Sequence, residues 1–426
     1  MRLVLRGGRL IDPAHAIDAL QDVYIAAGRI VGLGHAPDGF TPDRAIDAAQ
    51  RIVCPGFIDL CARLREPGQE HKATIATETQ AAAAAGITTL LCPPDTDPVI
   101  DEPAVVELIR RRAEAAGQAR VLTLGALTHR LRGERLAEMA ALKEAGCVGV
   151  SDGGRPLTQT RVLRRALEYA ATFDLTVFLT PLDPELGHGL AHAGQVATRM
   201  GLAGIPAAAE TGILARDLEL LRETGARAHF GRLSCGRSVE LVARAQAEGL
   251  PVSADVAGHQ LQLTELDLSG FNSQCHVQPP LRTLRDRDGL RTGLASGVIG
   301  ALCSDHQPHE ADAKQAPFGD TAPGVVGLST LLALGLRLVR DGVLPLSALI
   351  ERLSWGPARI LGLDSGHLGI GAVADVCVFD PKTVWSVTPD TLRGRGRNSP
   401  FLGWELQGRV TYTLLQGQIV YTALES

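Results

Sequence analysis

Through the middle of the chain, short apolar runs alternate with stretches of helical periodicity. The runs are Ile52–Leu60, Ile87–Cys92, Val121–Leu127, Cys147–Ser151, Thr176–Leu179, Ala228–Leu233, Val252–Val256 and Val298–Cys303. Continuous apolar runs without strict alternation mark strands buried on both faces. Between most of them, apolar residues recur at helical spacing, as in Ala104–Ala116, Thr160–Ala171, Ala207–Glu223 and Ser238–Glu248. Strand units alternating with helices in this way predict an α/β fold whose parallel sheet closes as a (β/α)8 TIM barrel. An open doubly wound sheet is the competing fold. It is disfavoured because the units fill about 300 residues with no Gly-x-Gly-x-x-Gly fingerprint after any strand. The two ends read differently. Leu3–Leu5 and Asp22–Ile25 precede turn signals at Gly7-Gly8 and Gly28, and Asp375–Asp380 and Thr411–Tyr421 are strand patterns among Gly and Pro. One small composite β domain is expected from residues 1–55 and 361–426, enclosing a barrel at 56–360.

Composition narrows the function classes. Apolar residues make up 45% and charged residues 21% of the 426, with a net charge of −5. That is ordinary for a globular protein, and the absence of a basic run argues against nucleic acid as partner. Apolar stretches are too short for a bilayer, and Arg2, Arg6 and Arg9 stand where a signal peptide needs an apolar segment, so the cytoplasm is the expected compartment. The eight cysteines lie singly, without a Cys-x-x-Cys pair. Cys54, Cys92, Cys147, Cys303 and Cys377 fall in apolar runs and read as reduced core residues.

In a barrel of this kind chemistry sits at the C-terminal ends of the strands. The polar residues there are Asp59, Cys61, Arg63, Asp95, Thr128, His129, Ser151, Asp152, Thr180, Arg232, His259, Asp305, His306 and His309. Asp59 is expected to bond backbone, and His229 to be a core or rim residue. His71, His129, His188, His192 and His276 lie in loop-like surroundings without ligand spacing and read as surface residues.

Longer motifs now carry a resemblance. Pro55-Gly-Phe-Ile-Asp-Leu-Cys-Ala-Arg-Leu-Arg-Glu-Pro-Gly68, Ser304-Asp-His-Gln-Pro-His309, Ala322-Pro-Gly-Val-Val-Gly-Leu328 and Asn398-Ser-Pro-Phe401 run in order along nearly the whole chain. In these segments the chain resembles the dihydroorotases, within the cyclic amidohydrolases. The resemblance implies two zinc-type ions in the barrel mouth, held by a His-x-His pair, a bridging acid, two further histidines and a final aspartate. Here the His-x-His positions are Cys61 and Arg63, and the bridging-acid segment reads Ser151-Asp152-Gly153-Gly154. The two later histidine positions are Thr180 and Arg232, and only Asp305 matches clearly. A guanidinium offers donors only and cannot ligate. No metal is therefore expected; if one binds, it is a single zinc at Cys61 and Asp305. Arg65 and His309 match carboxylate-recognition positions, and an amide of the same pocket has become Asp95. An arginine is expected to present a two-point donor fork to Asp305 in place of the ion.

The resemblance is strongest to the inactive dihydroorotase-like chains that serve as noncatalytic partners of the aspartate carbamoyltransferase catalytic chain. It implies a hetero-oligomeric assembly role in pyrimidine biosynthesis. The rival expectation is a cyclic-amide hydrolase with a reduced metal site built from Asp305, Cys61 and a nearby histidine such as His259. A third is a small-molecule-binding regulator that reuses Arg65 and His309.

Overall fold

The computed structural model describes residues 1–423. Eight parallel strands form the central sheet: β1 (Phe57–Asp59), β2 (Ile87–Cys92), β3 (Arg120–Ala126), β4 (Gly149–Ser151), β5 (Val177–Leu179), β6 (Ala228–Phe230), β7 (Val252–Ala257) and β8 (Ala301–Cys303). They pair in sequence order from β1 to β8. Closure occurs just past the ends of β1 and β8, through a parallel bridge between Ala62 and His306. This nearly closed (β/α)8 barrel is the predicted architecture.

Two apolar layers hold it. Ile58, Leu91, Leu124, Phe178, Ala257, Ala301 and Cys303, from six different strands, share one buried cluster, which must therefore fill the barrel interior. A larger cluster joins the outward faces of the strands to the helices. The helix Thr160–Thr172 shows how: Val162, Leu163, Ala166, Leu167 and Ala170 are its buried residues, spaced as one helical stripe. All eight cysteines are buried and unbonded to one another. No helix among the described residues is long and apolar enough to cross a membrane.

The run Ile52–Leu60 is two strands rather than one. Ile52–Pro55 joins a six-stranded sheet with Arg9–Asp12, Ile17–Leu20, Val376–Ser386, Glu405–Leu415 and Gln418–Thr422, while Phe57–Asp59 enters the barrel. Gly56 sits at the break, pressed on β2: a Cβ there would lie 2.4 Å from the Thr88 side chain. A continuous apolar run carries no mark of such a change of sheet. A four-stranded sheet of Arg2–Arg6, Val23–Ala26, Arg29–Leu33 and Arg44–Asp47 covers the other side. Leu3, Leu5, Ile25, Val53, Val376 and Leu414 bury together between these sheets.

Candidate functional site

Barrel closure builds the site. The His306 backbone N–H donates to the Cys61 carbonyl at 3.1 Å, and the Arg63 N–H donates to the His306 carbonyl at 2.9 Å. These bonds set Cys61, Arg63 and Asp305 side by side, because residues two apart on an extended segment point the same way. Ser304 completes the joint. Its N–H reaches Asp59 Oδ1 at 2.8 Å and its hydroxyl donates to the other oxygen, so Asp59 bonds within the scaffold.

Asp305, 1% exposed, is the hub. Its Oδ1 accepts from Gln307 Nε2 at 3.0 Å and lies 3.4 Å from Arg232 Nη1, 3.6 Å from Arg63 Nη1 and 3.6 Å from Cys61 Sγ. The expected two-point fork is absent: both arginines approach one oxygen, because each is anchored elsewhere. Arg63 Nε donates to Asp95 at 2.6 Å, and Arg232 Nη2 donates to Thr180 Oγ1 at 2.9 Å. Asp95 thus pairs with Arg63 and not with Arg65. Burial opposes the charge on both guanidiniums, yet the facing carboxylates raise them above their ordinary range, led by Asp95 for Arg63 and Asp305 for Arg232. Burial also pushes the Cys61 thiol up strongly, against the pull of Arg232 and Arg63, so it remains protonated at neutral pH.

The other positions are equally committed to the fold. Asp152 accepts the N–H groups of Gly154 at 2.8 Å and Thr180 at 2.9 Å, and burial raises it to about 6. Gly153 has φ +61°, and a Cβ there would meet Leu131 Cδ1 at 2.8 Å, so a side chain at this position would be strained and would have to displace Leu131. Arg65 donates from Nε to the Pro308 carbonyl at 3.0 Å, and its Nη2 lies 3.2 Å from His309 Nε2. The same Nε2 is 3.0 Å from the Pro323 carbonyl. Burial, then the Arg65 charge, holds His309 down at about 3. A neutral ring nitrogen either donates or accepts, so only one of its two contacts is a hydrogen bond at a time.

Several supports carry no local mark in the sequence. Glu78 and His306 pair at 2.8 Å, both fully buried. Asp255 accepts from the Arg232 N–H at 2.6 Å and pairs with His229 at 2.8 Å, which aims the Arg232 turn. Asn398 receives the His309 N–H and donates to the Gln307 and Gly324 carbonyls, tying the C-terminal segment to the mouth. His276, expected at the surface, is buried on Thr321 Oγ1 at 2.7 Å beside Phe318, because the loops here pack as a core of their own.

His259 is buried, and neither ring nitrogen has a partner among the described residues. Burial lowers it to about 4. The unfolded chain takes up this proton near pH 6.5 while the folded chain does not, so His259 lowers stability as pH falls from about 6.5 to 4, by roughly 3 kcal/mol in all. The variant His259→Phe should show a flatter denaturant-stability profile over that window than the unmodified chain; parallel profiles would contradict this.

The residues do not fit a zinc-type pair. Among the described residues no three His, Cys, Asp or Glu side chains stand where they could hold an ion. Asp305 has both arginines on its oxygen, Asp152 has both oxygens occupied, and Cys61 is a thiol. A dication about 4 Å from one guanidinium would meet a repulsion of order 8 kcal/mol at an effective dielectric near 20.

The buried charged cluster lies at the C-terminal ends of the barrel strands, the usual place of a functional site in this fold. The fold is closely similar to that of L-hydantoinase (dihydropyrimidinase) from Arthrobacter aurescens, with a TM-score of 0.88 over 99% of this chain and 97% of that one at 23% identity. The model of the family described as dihydro-orotase-like matches residues 50–237, and that of the amidohydrolase family matches 298–421. A dihydroorotase-like protein of Pseudomonas aeruginosa is 51% identical over 99% of this chain and all of its own length. A protein named dihydroorotase in Geobacter sp. is 44% identical over the same shares. The chain belongs to the dihydroorotase-like family of cyclic amidohydrolases.

Proposed function

We propose that this chain is a catalytically inactive dihydroorotase homologue that serves as a noncatalytic assembly subunit of aspartate carbamoyltransferase. One observation carries the inactivity: Arg63 and Arg232 stand at two positions where the dihydroorotase resemblance implies imidazole ligands, 3.6 and 3.4 Å from Asp305. Hydrolysis of a cyclic amide needs a water activated from a pKa of about 15.7 to near 7, and the family resemblance assigns that task to metal. The buried thiol and the guanidiniums supply no such base. The partner follows from the resemblance to the inactive chains, and the intact scaffold agrees with it. Asn398 holds the C-terminal segment to the mouth, and Glu78 joins His306 to the Arg395 N–H, so the fold that would carry a partner surface is kept.

Mixed at micromolar concentration with the transcarbamoylase of its own organism, the chain should elute as one hetero-oligomer of larger mass. Separate elution, with the transcarbamoylase equally assembled and equally active alone, would overturn the partner reading. A hydrolase with a reduced site remains the second reading, favoured by the 3.6 Å approach of Cys61 Sγ to Asp305, the pair a single zinc would have to use.

A further inference from the structure

The mouth holds more donors than its own acceptors use. A cavity of about 80 Å³ opens there, walled by Arg63, Thr180, Arg232, Gln278 and Gln307. Its one acidic wall residue, Glu210, already accepts from the Ser234 and Cys235 N–H groups and the Ser234 hydroxyl. Asp152 is likewise saturated by backbone N–H groups, and Asp255 by the Arg232 N–H and His229. That leaves Asp95 and Asp305 as the carboxylates that meet the Arg63 and Arg232 guanidiniums, while Arg65 bonds the Pro308 carbonyl.

The free edges of two guanidiniums converge. A Cβ on Gly154 would stand 3.4 Å from Arg232 Nη2 and 3.5 Å from Arg63 Nη2. Gly154 carries no side chain and has φ +78°, so the space between the two stays open. Arg63 Nη2 has no acceptor among the described residues, since Arg63 bonds through Nε and Nη1. The Gln278 side chain also has none, and it faces the same cavity from another loop. Donors of Arg63, Arg232 and Gln278 line one cavity, a set that suits an oxyanion with several acceptor oxygens.

We propose that this cavity binds a phosphate group, free or carried on a small metabolite, with Arg63 and Arg232 as its cationic walls. The anion occupies the region where related chains would concentrate positive charge as metal. The inference needs only the guanidinium pair and stands apart from the partner reading.

Calorimetric titration of the full chain tests it, with inorganic phosphate and methyl phosphate as probes against chloride at equal ionic strength. One phosphate per chain is expected, with Arg63→Gln and Arg232→Gln each weakening it by about tenfold or more. Both arginines also hold the fold, so Gln278→Glu is the decisive variant: it breaks no hydrogen bond, sets an anion in the wall and should abolish binding. Arg111→Gln, on an exposed helix face, should leave binding unchanged. Binding of both probes assigns a phosphoryl group on a metabolite, and binding of inorganic phosphate alone assigns the free ion. Heat no greater than with chloride, or phosphate binding that survives Gln278→Glu, would overturn the proposal.

Discussion

Replacing Asp305 with Ala should destabilise the fold by about 3–5 kcal/mol, the cost of removing one partner from a buried ion pair. The magnitude follows from what remains. Asp95 still partners Arg63 at 2.6 Å, but Arg232, 8% exposed, keeps only the Thr180 hydroxyl for its side chain. Its charge would then lie buried without an ion-pair partner, with Asp255 acting on it only from farther off. The penalty belongs to the orphaned cation and not to a lost attraction, which the double variant Arg232→Met with Asp305→Leu separates. Apolar residues of similar volume need no counter-charge, so the double variant should recover most of the loss. Urea denaturation reads both. A midpoint unmoved by Asp305→Ala, or a double variant as unstable as the single one, would show that the cluster does not neutralise itself as described.

The second large effect is an absence of rescue. The unmodified chain should show no dihydroorotase turnover, and Cys61→His should not restore it with zinc added. Ligand sets act as a unit, so one repaired position among several gives no partial return. Arg63 and Arg232 would still repel the ion, Thr180 would still offer a hydroxyl already held by Arg232, and Gly153 supplies no carboxylate and holds φ +61°, where a side chain is strained. Repairing all four imidazole positions together should also fall short while Gly153 supplies no bridging carboxylate. Turnover by the unmodified chain, dependent on zinc and abolished by Asp305→Asn, would establish the hydrolase reading instead.

The barrel was readable because burial on both faces leaves an apolar run at every strand. What escaped were changes of partner within a run, as at Gly56, where the chain passes from one sheet to another without a polar residue to mark it. The site divides in the same way. The motifs located Cys61, Arg63, Thr180, Arg232 and Asp305, since each ends a strand. Their pairing was not readable: Asp95 goes to Arg63, and both arginines share one oxygen of Asp305, because side-chain reach and the Asp255 anchor at the Arg232 turn decide it. Supports such as Glu78 on His306 join positions 228 apart in sequence and leave no local spacing to find. His276 misled for a related reason. Its Gly- and polar-rich surroundings look like surface, yet the long loops over the barrel bury their own small core around Phe318, Leu281 and Phe401.

The central claim is that guanidinium charge has taken the place of metal charge at Asp305. Zinc stoichiometry tests it most directly, by elemental analysis of the purified chain after equilibration with excess zinc and removal of free ion. Far less than one zinc per chain is expected, with no difference between the unmodified protein and Asp305→Asn. One tightly held zinc per chain, lost on replacing Cys61 or Asp305, would contradict it.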